Sequence, residues 1–203
     1  MTDFTVKPLG PETWDLFAGL AERHNGVWGG CWCTWFHRGV GKDFKEDPAG
    51  PEGNREWKQA LVQRGRAHAA LVCADAVAVA WCQYGSPDEL PHIYFRKEYE
   101  ADLAELPRYR LTCIFVDKKY RRKGVAALAV QGALDLIAQA GGGLVEAYPH
   151  DLQGTRTSAS YLYNGTRTLY EGLGFAYERP VGKKNCMMRR AVEPLDPFPD
   201  LIG

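Results

Sequence analysis

Residues Arg121 to Ala126 read Arg-Arg-Lys-Gly-Val-Ala, a set of residue types suited to holding an anion. They follow a short apolar run, Leu111 to Val116, and precede a long apolar-periodic segment, so the pattern predicts strand, basic turn and helix in that order. At such a junction the first helical amides lack internal acceptors, and the helix dipole adds partial positive charge. Gly124 and Ala126 carry almost no side chain and let a ligand approach the backbone; a diphosphate is the natural guest. Arg121, Arg122 and Lys123 add charge for further phosphates. The turn lacks the Gly-Lys-Ser/Thr ending of a Walker loop and the three glycines of a dinucleotide fingerprint. On spacing alone, a solvated basic turn that merely opens a helix is an equal reading.

The elements that position this turn follow from periodicity. Phe4 to Leu9 reads as a first strand, and Pro11 opens a helix to about His24 with Trp14, Phe17, Leu20 and Ala21 on one stripe. The stretch from Gly29 to His37 holds three large rings in five residues, too much apolar area to leave wet, and reads as a flap over a pocket or the core. Gly39 to Gly53, rich in Gly, Pro and charge, reads as a mobile loop, followed by a helix from Asn54, as cap, to Arg64. Ala69 to Cys73 and Val77 to Tyr84 read as a hairpin around Ala74-Asp75-Ala76. Pro87 to Leu106 reads as a short helix or an irregular crossing. Arg110 to Val116 is the fourth strand. Gly124 to Ala140 is the strongest helix, with Val125, Leu128, Ala129, Ala133, Leu136 and Ile137 on its apolar face. Leu144 to Tyr148 reads as the fifth strand, Thr166 to Leu173 as a short helix, and Phe175 to Arg179 with Cys186 to Arg190 as a closing hairpin. The order implies an α/β or α+β sheet with a parallel crossover between the fourth and fifth strands.

Composition narrows the classes. The chain has 203 residues, 45% apolar and 25% charged, with a formal net charge of zero. Bulk attraction to nucleic acid or a membrane surface is therefore not expected. No window approaches the roughly 18 apolar residues of a membrane span, and Met1 to Gly10 lacks the build of a signal peptide, so the expected location is cytoplasmic. The six cysteines then read as reduced residues, four of them in strand-like surroundings. Cys31 and Cys33 stand in a Cys-x-Cys spacing with no second pair, so a zinc site is not expected and a packed aromatic flap is.

Val116-x4-Arg121-x-x-Gly124-x-Ala126, followed by an amphipathic helix, resembles the acetyl-coenzyme A pyrophosphate signature of the GCN5-related N-acetyltransferases. Leu169-Tyr170-Glu171-Gly172-Leu173-Gly174-Phe175 resembles the Tyr-x-x-x-Gly-Phe segment of the same superfamily. The two motifs stand in the right order, and the resemblance covers roughly Ala69 to Arg190. The Cys-Trp-Cys stretch, with Glu146 to Pro149, resembles a bacterial branch of it. The resemblance implies a mixed, mostly antiparallel sheet of about seven strands whose fourth and fifth strands splay apart, with flanking helices. It implies one domain over 1–193, with 28–60 as an inserted flap and helix, and a Pro-rich tail over 194–203. It further implies that the pantetheine arm of acetyl-CoA pairs with Ile114, Phe115 and Val116, and that amides from Arg122 through Gly124, Val125 and Ala126 to Ala127 hold the pyrophosphate. Tyr170 matches the tyrosine set near the thioester sulfur as general acid; its alternative is a core aromatic in a short helix. The family pattern places Asn where this chain has Tyr163, so Asn164 is carried only as a displaced candidate for cofactor binding or as a helix cap.

The implied reaction requires no metal. An amine attacks the thioester directly, without a covalent enzyme intermediate, and an oxyanion forms beside an amide of the fourth strand. Glu146 on the fifth strand and His150 just after it are the candidate bases; alternation turns Glu146 opposite Val145 and Ala147, and its alternative is an ion pair or an outward-facing solvated residue. His150 reads as a loop residue, and Cys113 lacks an activating base nearby in sequence. The expected activity is N-acetyl transfer to a small-molecule amine, with neither nucleic acid nor membrane as partner. The alternatives are an acyl-CoA sensor without transfer, acetylation of a protein or peptide amine, and a nucleotide- or phosphate-binding protein. The apolar loops and tail are compatible with a homodimer.

Overall fold

The computed structural model describes residues 3–39, 50–101, 103–155, 157–158 and 161–195. Its strands are β1 (Phe4–Pro8), β2 (His68–Ala74), β3 (Val77–Gly85), β4 (Tyr109–Val116), β5 (Gly143–Ala147), β6 (Ala176–Val181) and β7 (Asn185–Val192). The helices are α1 (Trp14–Glu22), α2 (Gly50–Gln63), α3 (Arg96–Ala101), α4 (Val125–Gln139) and α5 (Arg167–Glu171). The seven strands form one sheet in the order β1-β2-β3-β4-β5-β7-β6, and all pairs are antiparallel except β4-β5. The parallel pair requires a crossover, and α4 supplies it across β2, β3 and β4.

β2 and β3 read as near-continuous apolar runs because both faces of the central sheet are covered. On one face, Val72, Cys82, Ile114 and Val145 pack against Val125, Val130, Ala133 and Ile137 of α4. On the other, Leu71, Trp81 and Phe115 pack against Trp14, Phe17 and Leu20 of α1 and against Trp32 and Phe36 of the flap. Each such buried side chain contributes roughly 1.5–3 kcal/mol of transfer free energy. The β2-β3 turn uses Asp75 (φ 49°) and Ala76 (φ 65°), the left-handed pair that a two-residue hairpin of native twist needs. Gly132 lets α4 approach β1, since a Cβ there would stand 2.7 Å from Val6 Cγ1.

Several expectations change. α2 begins at Gly50, not Asn54, so the last residues of the expected mobile loop are helical; residues 40–49 lie outside the described residues. Asn54 is an interior, buried position rather than a cap, and its amide donates to Gly30 O at 2.9 Å. Leu128 is 39% exposed, because the buried face of α4 is rotated toward Val130, Gly132 and Leu134. Pro87 to Leu106 contains the short helix α3. The proline-rich tail lies almost wholly outside the described residues, which end at Leu195. Among the described residues, no helix is long and apolar enough to cross a membrane.

Candidate active site

β5 pairs with β4 only from Tyr109 to Leu111, so β4 continues to Val116 unpaired by β5, with the Ile114 amide taken by Tyr163 O at 2.6 Å. A cleft of about 670 Å³ lies along the opening. Ile114, Phe115 and Val116 form one wall, Arg121, Arg122 and Gly124 the turn, and Val125, Ala126 and Ala127 the first turn of α4. Gly165, Thr166 and Leu169 face them, and Arg23, His24 and Trp28 close the side. By helix geometry the first amides of α4 have no helical acceptor, and they point into this cleft end. Gly124 has φ 78° and a Cβ there would meet nothing within 4 Å, so backbone conformation rather than space favours glycine. Cationic turn, open amides and a long apolar trough together fit a diphosphate ester with an extended arm.

The turn is itself anchored. Arg121 Nε donates to Val116 O at 3.0 Å, and Asp117 Oδ1 accepts from the Lys119 amide at 3.0 Å. Asp117 also lies 3.2 Å from His24 Nε2. Burial acts to raise its pKa, but the Lys119 amide and His24 outweigh that and hold it below the usual carboxylate value. Lys123 is not among the lining residues; its ammonium lies over the Tyr120 ring, 5.5 Å from the centroid. Asn164 is also outside the lining of this cleft. It is buried and donates to Tyr148 O at 3.3 Å, while Thr166 is the N-cap of α5, accepting from the Leu169 amide at 3.3 Å.

Tyr170 is fully buried on α5, edge-on to Phe175 with centroids 5.0 Å apart. Among the described residues its hydroxyl has no hydrogen-bond partner. A Cβ on Gly165 would touch both the Tyr170 ring (3.2 Å) and Ile114 Cδ1 (3.1 Å), so the ring stands directly behind two residues of the cleft wall. Burial pushes its pKa well above the usual phenol value, so the hydroxyl remains a proton donor. Tyr170 itself lines neither cavity, so this orphaned donor becomes available to a ligand only where Gly165 and Ile114 move aside.

A second cavity of about 290 Å³ lies on the other side of β4, lined by Trp28, Cys31, Trp35, Phe36, Tyr94, Cys113, Tyr161 and Tyr163. The β3-β4 register shifts between Cys82 and Tyr84, so Thr112 and Cys113 oppose Gln83 alone, a bulge. It turns Cys113 to the second cavity and Ile114 to the first. Leu162 and Tyr163 divide in the same way, and Tyr163 O accepts from the Ile114 amide at 2.6 Å. Trp28 belongs to both linings. Val27 (φ 50°) and Trp28 (φ 40°) are held in a left-handed conformation that costs on the order of 1–3 kcal/mol per residue. The amides of Gly30 and Cys31 fix it by donating to Val27 O, both at 2.9 Å.

A buried polar network supports this flap. Lys58 on α2 is fully buried, and its ammonium donates to His37 Nε2 (2.9 Å), Gln83 Oε1 (2.5 Å) and Cys33 O (3.5 Å). His37 Nδ1 lies 2.9 Å from Glu89 O and must carry the ring proton, which leaves Nε2 as acceptor. Gln83 Nε2 in turn donates to Thr112 Oγ1 at 3.0 Å, in the bulge. Burial and the Lys58 charge hold the His37 pKa well below 6.5. The unfolded chain therefore takes up a proton below about pH 6.5 that the native state refuses, and stability falls as pH drops through that point. His150, also depressed by burial, acts with the same sign. Urea midpoints between pH 7.5 and 5.5 should decline for the wild type and decline less for His37→Gln.

Glu146 is not brought to either cavity. It is fully buried, and its carboxylate accepts from Tyr99 Oη (3.0 Å), Tyr148 Oη (2.6 Å), Arg189 Nε (2.9 Å) and Arg189 Nη2 (2.5 Å). Burial pushes both tyrosines up, keeping them as donors. The arrangement joins α3, β5 and β7. Glu146→Ala leaves these donors unmatched and should lower the unfolding free energy by about 3 kcal/mol in urea titrations. His24, Trp28, Tyr94 and Tyr163 were not among the expected site residues, Tyr163 entering only as a departure from the family pattern; the flap's aromatic density pointed only to their neighbourhood.

The profile of the acetyltransferase (GNAT) family matches residues 31–157. No curated protein matches the sequence. Among solved structures, an N-acetyltransferase from Staphylococcus aureus Mu50 aligns with a TM-score of 0.51 at 11% identity, over 95% of this chain and 100% of that one. The PaiA N-acetyltransferase from Thermoplasma acidophilum, in complex with coenzyme A, gives 0.51 at 13% identity, over 93% and 99%. YncA from Salmonella typhimurium, with its cofactor acetyl-CoA, gives 0.50 at 13%, over 98% of both chains. At these identities the structures speak for the fold alone, a mixed sheet with one parallel β4-β5 pair. The profile, which spans more than half of the sequence, goes further: this chain belongs to the acetyltransferase (GNAT) family.

Proposed function

We propose that this protein transfers the acetyl group of acetyl-CoA to the amine of a small molecule, by direct attack on the thioester. The observation that carries this reading is the shared wall between the two cavities. Adjacent residues of β4 (Cys113 and Ile114) and of the loop before α5 (Leu162 and Tyr163) face opposite sides of it. A donor in the first cavity and an amine in the second would meet where the cavities adjoin at Trp28, which lines both, once the Ile114–Tyr163 backbone bond between them opens.

In this reading Val125, Ala126 and Ala127 offer amides to the diphosphate, with Arg121 and Arg122 beside it. The pantetheine arm lies along the open edge of β4, at Ile114, Phe115 and Val116. Ile114 N–H, now donated to Tyr163 O, becomes a donor to the thioester oxygen once that carbonyl yields. The amine nitrogen attacks the carbonyl carbon, the C–S bond breaks, and Tyr170 Oη gives its proton to the departing thiolate. The proton shed by the nitrogen passes to the Tyr170 phenolate, directly or through water, and regenerates the hydroxyl. Glu146, with its oxygens occupied, is assigned to holding β5 rather than to accepting that proton, and Asn164 to tying the loop to Tyr148. Two structural neighbours solved with coenzyme A or acetyl-CoA support the choice of donor. Calorimetric titration with acetyl-CoA, ATP and NAD tests it. Acetyl-CoA should bind far more tightly than the other two; absence of heat with acetyl-CoA defeats the proposal.

A further inference from the structure

We propose that the cavity over Cys113 accepts an aromatic amine in its neutral form, the ring held among Trp28, Trp35, Phe36, Tyr94 and Tyr163. This rests on the acyl-transfer reading above and adds the class of acceptor. Three observations carry it: the shape of the lining, its charge, and the basic side chains behind it.

The lining is a set of ring faces and edges set at aromatic contact distance. Trp28 and Tyr163 have centroids 6.3 Å apart at 76°, Phe36 and Tyr94 5.9 Å apart at 82°, and Trp35 and Tyr94 6.0 Å apart at 22°. A further ring entering this space meets offset-stacked and edge-to-face partners together. At about 290 Å³ the space is roughly twice the 150 Å³ cavity that suffices for benzene. It admits an aryl ring with a short amine-bearing chain. A polyhydroxylated polyamine finds only tyrosine hydroxyls and thiols to replace its water.

No charged side chain is among the described residues lining the cavity. Burial pushes the thiols of Cys31 and Cys113 up, so both stay neutral, and it raises Tyr94 and Tyr163 in the same way. Basic side chains stand close behind the wall. Lys58 lies fully buried behind the wall among three acceptors, with burial lowering its pKa, and the Arg38 guanidinium lies over the Trp35 ring at 5.9 Å. An ammonium ion entering here would lose its water with no carboxylate among the lining residues to meet it, and cation–π attraction to the rings, one of them already covered by Arg38, returns only part of that cost. A neutral amine avoids this cost and is also the form that attacks a thioester. The same rings that reject polycations by solvation therefore favour an arylamine or arylalkylamine.

The test is thiol release from acetyl-CoA with aniline, phenethylamine, tryptamine, spermidine and kanamycin, on wild type, Trp35→Leu and Cys31→Asp. The fold of each variant is checked by its Kd for acetyl-CoA, which should not move. For the wild type, kcat/KM for the best aromatic amine should exceed that for spermidine and kanamycin by at least about 100-fold. Trp35→Leu should raise KM for the aromatic amine by about ten-fold. Cys31→Asp should narrow the gap by improving spermidine and weakening the aromatic amine. Polyamine or aminoglycoside turnover equal to or above the aromatic amines overturns the proposal, as does turnover of neither class by a protein that binds acetyl-CoA. Failure to bind acetyl-CoA is a separate result and removes the transfer reading together with the acceptor class.

Discussion

Tyr170→Phe lowers the rate of acetyl transfer by about 100- to 1000-fold while the Kd for acetyl-CoA stays unchanged. The expectation follows from where the hydroxyl sits. The ring is fully buried, packed on Phe175 and backing Gly165 and Ile114, and phenylalanine fills the same volume. Only the oxygen is lost, and in this structure that oxygen has no partner. Removing an unsatisfied buried hydroxyl should stabilise the fold, by about 1 kcal/mol. The variant should therefore be slower and melt higher. A core tyrosine with no chemical role would show the second effect without the first, so steady-state kinetics and thermal melts on one preparation separate the two. The buried phenol's raised pKa also means that its deprotonation does not limit the alkaline side of the rate profile.

Ala126→Asp should weaken acetyl-CoA binding by about 100-fold or more while leaving the protein as stable as wild type or slightly more so. Ala126 lies in the first turn of α4 and lines the first cleft. An aspartate in a helical first turn meets unsatisfied amides and the positive end of the dipole, which stabilises the helix by about 0.3–1 kcal/mol. The same carboxylate stands where a diphosphate is proposed to sit, and like charges at that range repel strongly. A solvated basic turn that merely starts a helix would gain the stability and have no affinity to lose. Calorimetric titration with acetyl-CoA at moderate salt reads the affinity, and urea unfolding reads the helix.

Local order was legible in the sequence and convergence was not. Strand, basic turn and helix from Leu111 to Ala140 were readable because each follows from neighbours a few residues apart, and β4 and α4 occupy those spans. The β2-β3 hairpin was readable for the same reason. Asn54 misled because a polar residue after Gly and Pro looks like a cap, whereas its partners, Gly30 O and Thr34, lie on the flap. Leu128 misled because periodicity sets the width of an apolar face but not which way a neighbouring sheet rotates it. For Glu146, alternation along β5 could show a side chain turned away from its neighbours but not that Tyr99 and Arg189 wait there. The second cavity is the extreme case. Trp28, Tyr94, Cys113 and Tyr163 come from four separate parts of the chain, and no spacing rule joins them. Only the density of rings from Trp28 to Phe36 hinted that something would be enclosed.

The central claim is transfer, as opposed to storage or sensing of the donor, and one measurement addresses it most directly. Purified protein is mixed with acetyl-CoA with and without phenethylamine or tryptamine, and free thiol and N-acetylated amine are quantified together. The account predicts amine-dependent thiol release, with one acetylated product per thiol and far less of both with Tyr170→Phe. Saturable acetyl-CoA binding with no amine-dependent release from any amine tested would contradict it and leave an acyl-CoA sensor in its place.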